Sequence, residues 1–164
     1  MMNSMISTKI RNDSLALVDT YVVEFDPTLY GSASKEKLKI HIHKVKGKKD
    51  INRKALIFLH GGGAVMQSPE EYYWMSSRLA LEGDMTVFSV QYRLGPEFKI
   101  PTGIYDAYAA LKYIIKEADR FNIDPKTIGL QGISGGGFMA TGVTYLLAQN
   151  NECGLIKTVF LDMP

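Results

Sequence analysis

The sequence predicts an α/β fold built on a mostly parallel, doubly wound sheet with antiparallel strands at its N-terminal side. Three observations carry that expectation. Strand-like segments at 55–59, 85–90, 127–133 and 156–161 alternate with helical patterns at 69–82, 101–121 and 135–149. The segment at 55–59 is continuously apolar, as in a strand covered on both faces, and 85–90 reads as a second strand of the buried type. Two glycine clusters, Gly61 to Gly63 and Gly132 to Gly137, follow directly on such strands.

In chain order, Tyr21 to Phe25 reads as a strand closed by Asp26-Pro27, and Gly31 to Ser34 has loop composition. Lys37 to His43 alternates polar and apolar residues strictly, which predicts a strand with one wet face. Leu38, Ile40 and Ile42 then face inward, and His41 and His43 share a solvated face with Lys37 and Lys39. Ala55 to Leu59 is a buried strand stopped by glycines. Ser68 is placed to cap a helix over 69–82 with Pro69 in its first position. Ile104, Ala107, Tyr108, Leu111, Ile114, Ile115 and Ala118 recur at helical spacing and predict one helix from Pro101 to Phe121. Gly135 to Gln149 is a further helix and Ile156 to Leu161 a final strand, expected at an exposed apolar edge through Val159, Phe160 and Leu161.

Composition excludes several classes. The chain has 164 residues, 46% hydrophobic and 22% charged, so it is neither disordered nor dominated by charge. A net charge of +2 gives no footprint for nucleic acid. Cys153 is the sole cysteine, so no internal disulfide forms. No apolar run approaches a membrane span and Met1 to Ile10 carries no apolar signal region, so a cytoplasmic location is expected. The length fits one domain, with 1–36 poorly defined and 37–164 forming the core. Nothing in the sequence speaks to oligomeric state.

The chemistry lies in the glycine clusters. In open parallel sheets ligands bind beyond the carboxyl ends of the strands, so both loops can reach one site. Gly132-Ile133-Ser134-Gly135-Gly136 fits Gly-x-Ser-x-Gly between a strand and a helix. The spacing is steric: a serine on a sharp, strained turn needs small neighbours two positions away on either side. The turn lifts the hydroxyl above the sheet edge at a helix N-terminus, where negative charge is favoured. His60-Gly61-Gly62-Gly63 follows the apolar strand at 55–59, and its glycines let backbone amides approach a reacting carbonyl.

Three segments resemble the hormone-sensitive-lipase-like branch of the α/β-hydrolases, over residues 54 to 164. They are His60-Gly61-Gly62-Gly63; Tyr92-Arg93-Leu94-Gly95-Pro96-Glu97 with Pro101 and Asp106 to Leu111; and Asn122 to Gly129 leading into Gly132 to Gly137. The resemblance implies an α/β-hydrolase core, incomplete here on its C-terminal side, that hydrolyses small-molecule carboxylic esters through an acyl-enzyme. It implies Ser134 as nucleophile and Gly62, Gly63 and Gly135 as oxyanion-hole donors, with His60, Gly61, Gly132 and Gly136 supporting the motifs and no metal or organic cofactor. The chain departs from the family's usual Asp-Ser-Ala at Ile133 and Gly135, and has Gln91 where Asp commonly precedes Tyr-Arg-Leu. Neither departure removes a backbone N–H.

The larger departure is an absence. Thirty residues follow Ser134 and none is a histidine, while His41, His43 and His60 all precede it. In this superfamily the order is serine, acid, histidine, and Asp162 comes too early for the acid. The triad acid and histidine are therefore expected to be missing from this chain. His60 is expected to order its loop by hydrogen bonding, not to act as base. A non-enzymatic alternative is a fragment or relative that binds ligand without turnover. A third reading takes Gly135-x-Gly137-x-x-Ala140 as a dinucleotide fingerprint with Asp162 as ribose acid, but it leaves His60 to Gly63 unexplained. Arg93, Glu97 and Asp106 read as a structural polar set, and Lys44 to Lys54 as a solvated loop. Tyr72, Tyr73 and Trp74 read as packing residues, His41 and His43 as lacking a third metal ligand, and Asn12 to Ser14 as a sequon without a secretory context.

Overall fold

Six strands form one sheet in the order β1-β2-β4-β3-β5-β6 in the computed structural model, which describes residues 13–33, 36–48 and 52–163. Asn12, Ser34 and residues 49–51, which complete the sequon, an early loop and the basic stretch of the sequence reading, lie outside the described residues. β1 (Val18–Phe25) and β2 (Leu38–Val45) pair antiparallel, and β2 pairs antiparallel with β4 (Met85–Gln91). β3 (Arg53–Leu59), β4, β5 (Ile123–Ile133) and β6 (Thr158–Asp162) run parallel. The chain moves from β3 outward to β4, then crosses back past β3 to β5. That reversal opens a crevice at the carboxyl ends of β3 and β5.

Helix α1 (Tyr73–Gly83) covers one face of the sheet, packing Ala80 onto Phe58 and Val87. α2 (Thr102–Lys116), the short α3 (Ala118–Phe121) and α4 (Gly135–Gln149) cover the other face over a larger core that includes Ile40, Ile57, Phe88, Leu111 and Leu130. Both faces of β3 and β4 are buried, as the continuous apolar run at 55–59 predicts for β3; β4 buries Thr86 and Ser89 along with its apolar residues. β6 stands at the sheet edge with Phe160 58% and Leu161 40% exposed, matching the expected apolar edge.

Four sequence expectations are corrected. His41 and His43 are not on a wet face: they are 2% and 0% exposed. α1 covers that side of β2, and its polar groups meet theirs. Tyr73 Oη lies 2.6 Å from His41 Nδ1, and its ring stands edge-on to His43 at 5.0 Å. On β2 the alternation thus separates a polar buried face from an apolar one. Second, residues 69–72 form a 3₁₀ turn before α1, and Ser68 does not cap it. Its hydroxyl turns to the Glu70 carboxylate instead. Third, the helix expected over 101–121 breaks at Glu117, whose backbone leaves the helical range so that Phe121 can pack against Phe88 and Tyr113. Fourth, β5 starts at Ile123, ahead of the expected 127. Asp124 accepts a hydrogen bond from Lys126 N, the chain bulges, and the regular ladder resumes at Ile128 opposite Ala55.

Burial of the histidines gives stability a pH dependence. Burial pushes the His43 imidazole down to about 4, with neighbouring His41 adding to the effect, and burial lowers His60 as well. In the unfolded chain a histidine protonates below about pH 6.5. Between about pH 6.5 and 4 the unfolded state binds protons that the folded state refuses, so stability falls as pH falls and levels off below. For His43 the full loss is about 3 kcal/mol. Urea unfolding between about pH 7 and 4.5 is expected to show this decline, with a clearly flatter slope in His43→Gln. Parallel wild-type and variant curves would contradict the assignment.

Candidate active site

The two glycine clusters meet because β3 and β5 are direct neighbours. Their ladder closes with Leu59 opposite Gly132, so His60 and Ser134 leave adjacent strand ends on the same edge.

At the end of β5 the chain turns sharply into α4. Ser134 takes φ 50° and ψ −118°, a backbone conformation that costs a non-glycine residue about 1–3 kcal/mol. Contacts on every side hold it there. Ser134 N donates to Asp162 O at 2.8 Å, which ties the turn to β6, and Phe138 N donates to Ser134 O at 3.1 Å. A Cβ on Gly132 would lie 2.1 Å from Gly136 O, and one on Gly136 would lie 2.1 Å from Leu59 O. The flanking glycines of the motif are thus sites of backbone-on-backbone contact. Ser134 itself is exposed and stands at the positive end of a 15-residue helix.

The His60 loop is fixed by its carbonyls. Tyr92 Oη donates to His60 O at 2.6 Å, His60 Nδ1 donates to Gly61 O at 2.8 Å, and Val65 N and Met66 N both donate to Gly62 O at 3.1 Å. Gly95 N closes the series on Ala64 O at 2.8 Å. In a planar trans peptide the N–H points opposite the C=O, so anchoring the oxygen of Gly61 and of Gly62 aims the amides of Gly62 and Gly63. Among the described backbone hydrogen bonds, none uses either amide. Gly135 N, at the first position of α4, has no intrahelical partner. Gly62 must be glycine: its φ is +103°, and a Cβ would meet Met66 O at 2.1 Å.

His60 hydrogen-bonds within its own loop. Its ring is 1% exposed and stacked on Tyr92 at 4.4 Å, and burial keeps it neutral, with Nδ1 donating to Gly61. Its Nε2 is buried without a partner. Among the described residues no histidine nitrogen hydrogen-bonds the Ser134 hydroxyl. The polar set differs in one member: Arg93 binds both Asp106 oxygens at 2.8 and 2.7 Å, but the third partner is Ser32, whose hydroxyl donates to Asp106 at 2.8 Å. Glu97 is exposed and lines a cavity instead. Of the aromatic trio, Tyr73 packs on the buried histidines and Tyr72 donates to Gln67 at 3.0 Å. Gln91, the departure ahead of Tyr92, lies 3.3 Å from His41 Nε2, and Ile133 packs into the core under α1.

A cavity of about 350 Å³ opens at the serine, lined by Gly63, Ala64, Ile100, Gly135, Phe138 and Met163. Beside the serine, its side chains are those of Ala64, Ile100, Phe138 and Met163, all apolar. Ala64, Ile100, Phe138 and Met163 went unnoticed in the sequence because none sits at motif spacing, and Ala64's φ of +64° has no signature in an alanine. A second cavity of about 490 Å³, lined by Lys37, Lys39, His60 and Glu97 among others, does not include Ser134. Among the described residues no group of three His, Cys, Asp or Glu side chains converges as metal ligands would, and no helix is long and apolar enough to cross a membrane.

A family model described as alpha/beta hydrolase fold matches residues 56–164. The chain is 32% identical over 130 residues to arylacetamide deacetylase of Oryctolagus cuniculus, covering 76% of this chain and 33% of that protein. It is 35% identical over 121 residues to an arylesterase of Saccharolobus solfataricus, covering 70% of this chain and 39% of that one. A thermostable carboxylesterase cloned from a metagenomic library superposes with TM-score 0.78 at 31% identity, over 96% of this chain and 53% of that one. A bacterial heroin esterase gives 0.79 at 26% identity, over 98% and 49%. The chain therefore spans about a third of these curated relatives and about half of the solved ones.

Gly135, which departs from the usual Asp-Ser-Ala motif, stands against the His60 loop, and the structure shows what the small residue permits. A Cβ there would lie 2.7 Å from Gly63 N and 2.8 Å from Ala64 N, both rigid backbone atoms. Helix propensity favours Gly135→Ala by up to about 1 kcal/mol, whereas forcing the loop from the turn costs about 1–3 kcal/mol. The clash wins. Gly135→Ala is expected to lower the denaturant midpoint and displace the Gly63 and Ala64 amide resonances. A variant at least as stable as the wild type would show that the loop yields freely.

Proposed function

The chain belongs to the α/β-hydrolase fold family, in its hormone-sensitive-lipase-like branch, and from that premise we propose that it carries the nucleophile and oxyanion half of a serine ester hydrolase. One observation carries the reading: an exposed serine on a strained turn lies beside amides that, among the described residues, donate to no backbone acceptor and are aimed by anchored carbonyls. Ser134 Oγ attacks the ester carbonyl. The carbonyl oxygen takes up the electron pair and is held by the amides of Gly62, Gly63 and Gly135 in an arrangement that needs no reorganisation. Collapse of the tetrahedral intermediate releases the alcohol and leaves an acyl-serine, which water hydrolyses. The serine proton must pass to a base, and the alkoxide leaving group must receive one. Among the described residues no histidine hydrogen-bonds Ser134, and oxyanion stabilisation and binding alone sustain roughly 10³–10⁴ over water in a protease stripped of its triad.

The apolar lining of Ala64, Ile100, Phe138 and Met163 suits an apolar acyl or aryl group. This agrees with relatives named as arylesterase and carboxylesterase. The non-turnover reading is favoured by one observation, that among the described residues no histidine hydrogen-bonds Ser134, and the same experiment separates the two.

A fluorophosphonate probe is expected to label the folded chain slowly at Ser134 and not at all in Ser134→Ala. Exogenous imidazole, supplying the missing base, is expected to raise hydrolysis of an activated aryl acetate about tenfold or more above the Ser134→Ala background. Labelling equal in both proteins, together with imidazole rates equal in both, would remove Ser134 as nucleophile and leave ligand binding without turnover.

A further inference from the structure

Tyr92 lies outside the motifs that position a nucleophile or an oxyanion donor, yet it holds the oxyanion loop at two points. Its hydroxyl donates to His60 O at 2.6 Å, while its ring stacks on the His60 imidazole at 4.4 Å and 11°. Those two contacts control successive peptide planes. The first fixes the carbonyl of the His60–Gly61 peptide, which is also pressed from the far side by Gly136, where a Cβ would come within 2.4 Å of His60 O. The second fixes the ring whose Nδ1 donates to Gly61 O, and with it the Gly61–Gly62 peptide whose N–H is aimed at the serine side. A phenylalanine would satisfy the packing equally well. The buried hydroxyl is the part that packing does not require.

Tyr92 is in turn anchored by the next residue. Arg93 N donates to Asp106 Oδ2 at 3.1 Å and the Arg93 guanidinium grips both carboxylate oxygens, so the segment is bound to α2 through Asp106. α2 can approach because Gly103 has no side chain: a Cβ there would lie 2.9 Å from Arg93 O and 3.2 Å from the Tyr92 ring. Burial raises the phenol far above its ordinary range, so the hydroxyl stays protonated and remains a donor at every working pH.

We propose that Tyr92 is a positioning residue for the oxyanion hole, its hydroxyl on His60 O and its ring on the His60 imidazole together setting the orientation of the Gly61 and Gly62 amides, and through them the start of the loop that carries Gly63. The proposal rests on the oxyanion role assigned above, and its test is built so that the two fail separately. In Tyr92→Phe the stack survives and the carbonyl anchor is lost. The Gly61, Gly62 and Gly63 amide resonances are expected to shift or broaden in ¹⁵N–¹H spectra while those of Met139 to Val143 in α4 stay in place. Fluorophosphonate labelling of Ser134 is expected to slow about tenfold at saturating probe, the worth of one oriented hydrogen bond, with the half-saturating probe concentration unchanged. Ser76→Ala, which breaks the buried Ser76–Ser89 bond at 2.8 Å under α1, controls for lost stability alone and should leave both readouts as in the wild type. Unmoved Gly61–Gly63 resonances, or labelling within about twofold of wild type, would overturn the proposal. If Tyr92→Phe does not fold, the wild-type Tyr92 hydroxyl proton decides: slow exchange and a cross-peak to the loop support the clamp, and rapid solvent exchange rejects it. Should Ser134→Ala label like wild type, the nucleophile reading falls while the resonances still report whether Tyr92 orients the loop.

Discussion

The parallel ladder between β3 and β5 sets everything at the site. Two strands that are far apart in sequence close their pairing with Leu59 opposite Gly132, and each continues into a loop whose backbone must then share the same small volume. The consequence is visible in the space around three glycines. Gly132 touches the backbone of Gly136, Gly136 the backbone at Leu59 and His60, and Gly135 the amides of Gly63 and Ala64. Side chains at these positions would push the two loops apart. The glycines lie in clusters because the ladder makes them neighbours, and the proximity of the free amides to the serine follows from it.

Holding free amides in place requires that something else be bonded. Each carbonyl from His60 to Gly62 has a donor, as does that of Ala64, and the donors come from different parts of the fold: a phenol and the Gly95 amide after β4, an imidazole within the loop, and the Val65 and Met66 amides further along it. Net hydrogen-bond contributions of about 1 kcal/mol each suffice to offset one strained residue of the kind seen at Ser134. The Arg93–Asp106–Ser32 set belongs to the same economy of restraint, since it fixes the residue next to the phenol. A polar cluster that looks purely structural is thus two contacts from the oxyanion loop.

Much of this was legible in the sequence. The strand–glycine–helix pattern at 127–149 and the apolar run at 55–59 fix the elbow and its partner loop almost to the residue, because buried parallel strands and close-packed glycines leave little freedom in composition. What misled was a pattern with two physical meanings. Alternation at 37–43 separates polar from apolar residues, but polar does not mean wet when a helix carries Tyr73 and Ser76 onto the same face. Nor could spacing show that Tyr92 reaches back to His60, since that contact crosses from β4 to its neighbour β3. Local signals report what a residue tolerates, and the missing information was which distant residue would meet it.

Gly135 shows how far this limit extends. As a motif position it departs from the family's usual Asp-Ser-Ala. Read in the structure, it is the residue that lets the His60 loop come within van der Waals contact of the turn, closer than a methyl group would allow. The small side chain and the close loop belong together, for a Cβ on Gly135 would lie 2.7 Å from Gly63 N. A departure from a motif is therefore informative only together with the backbone it faces, and here that backbone carries the very amides on which the proposed chemistry depends.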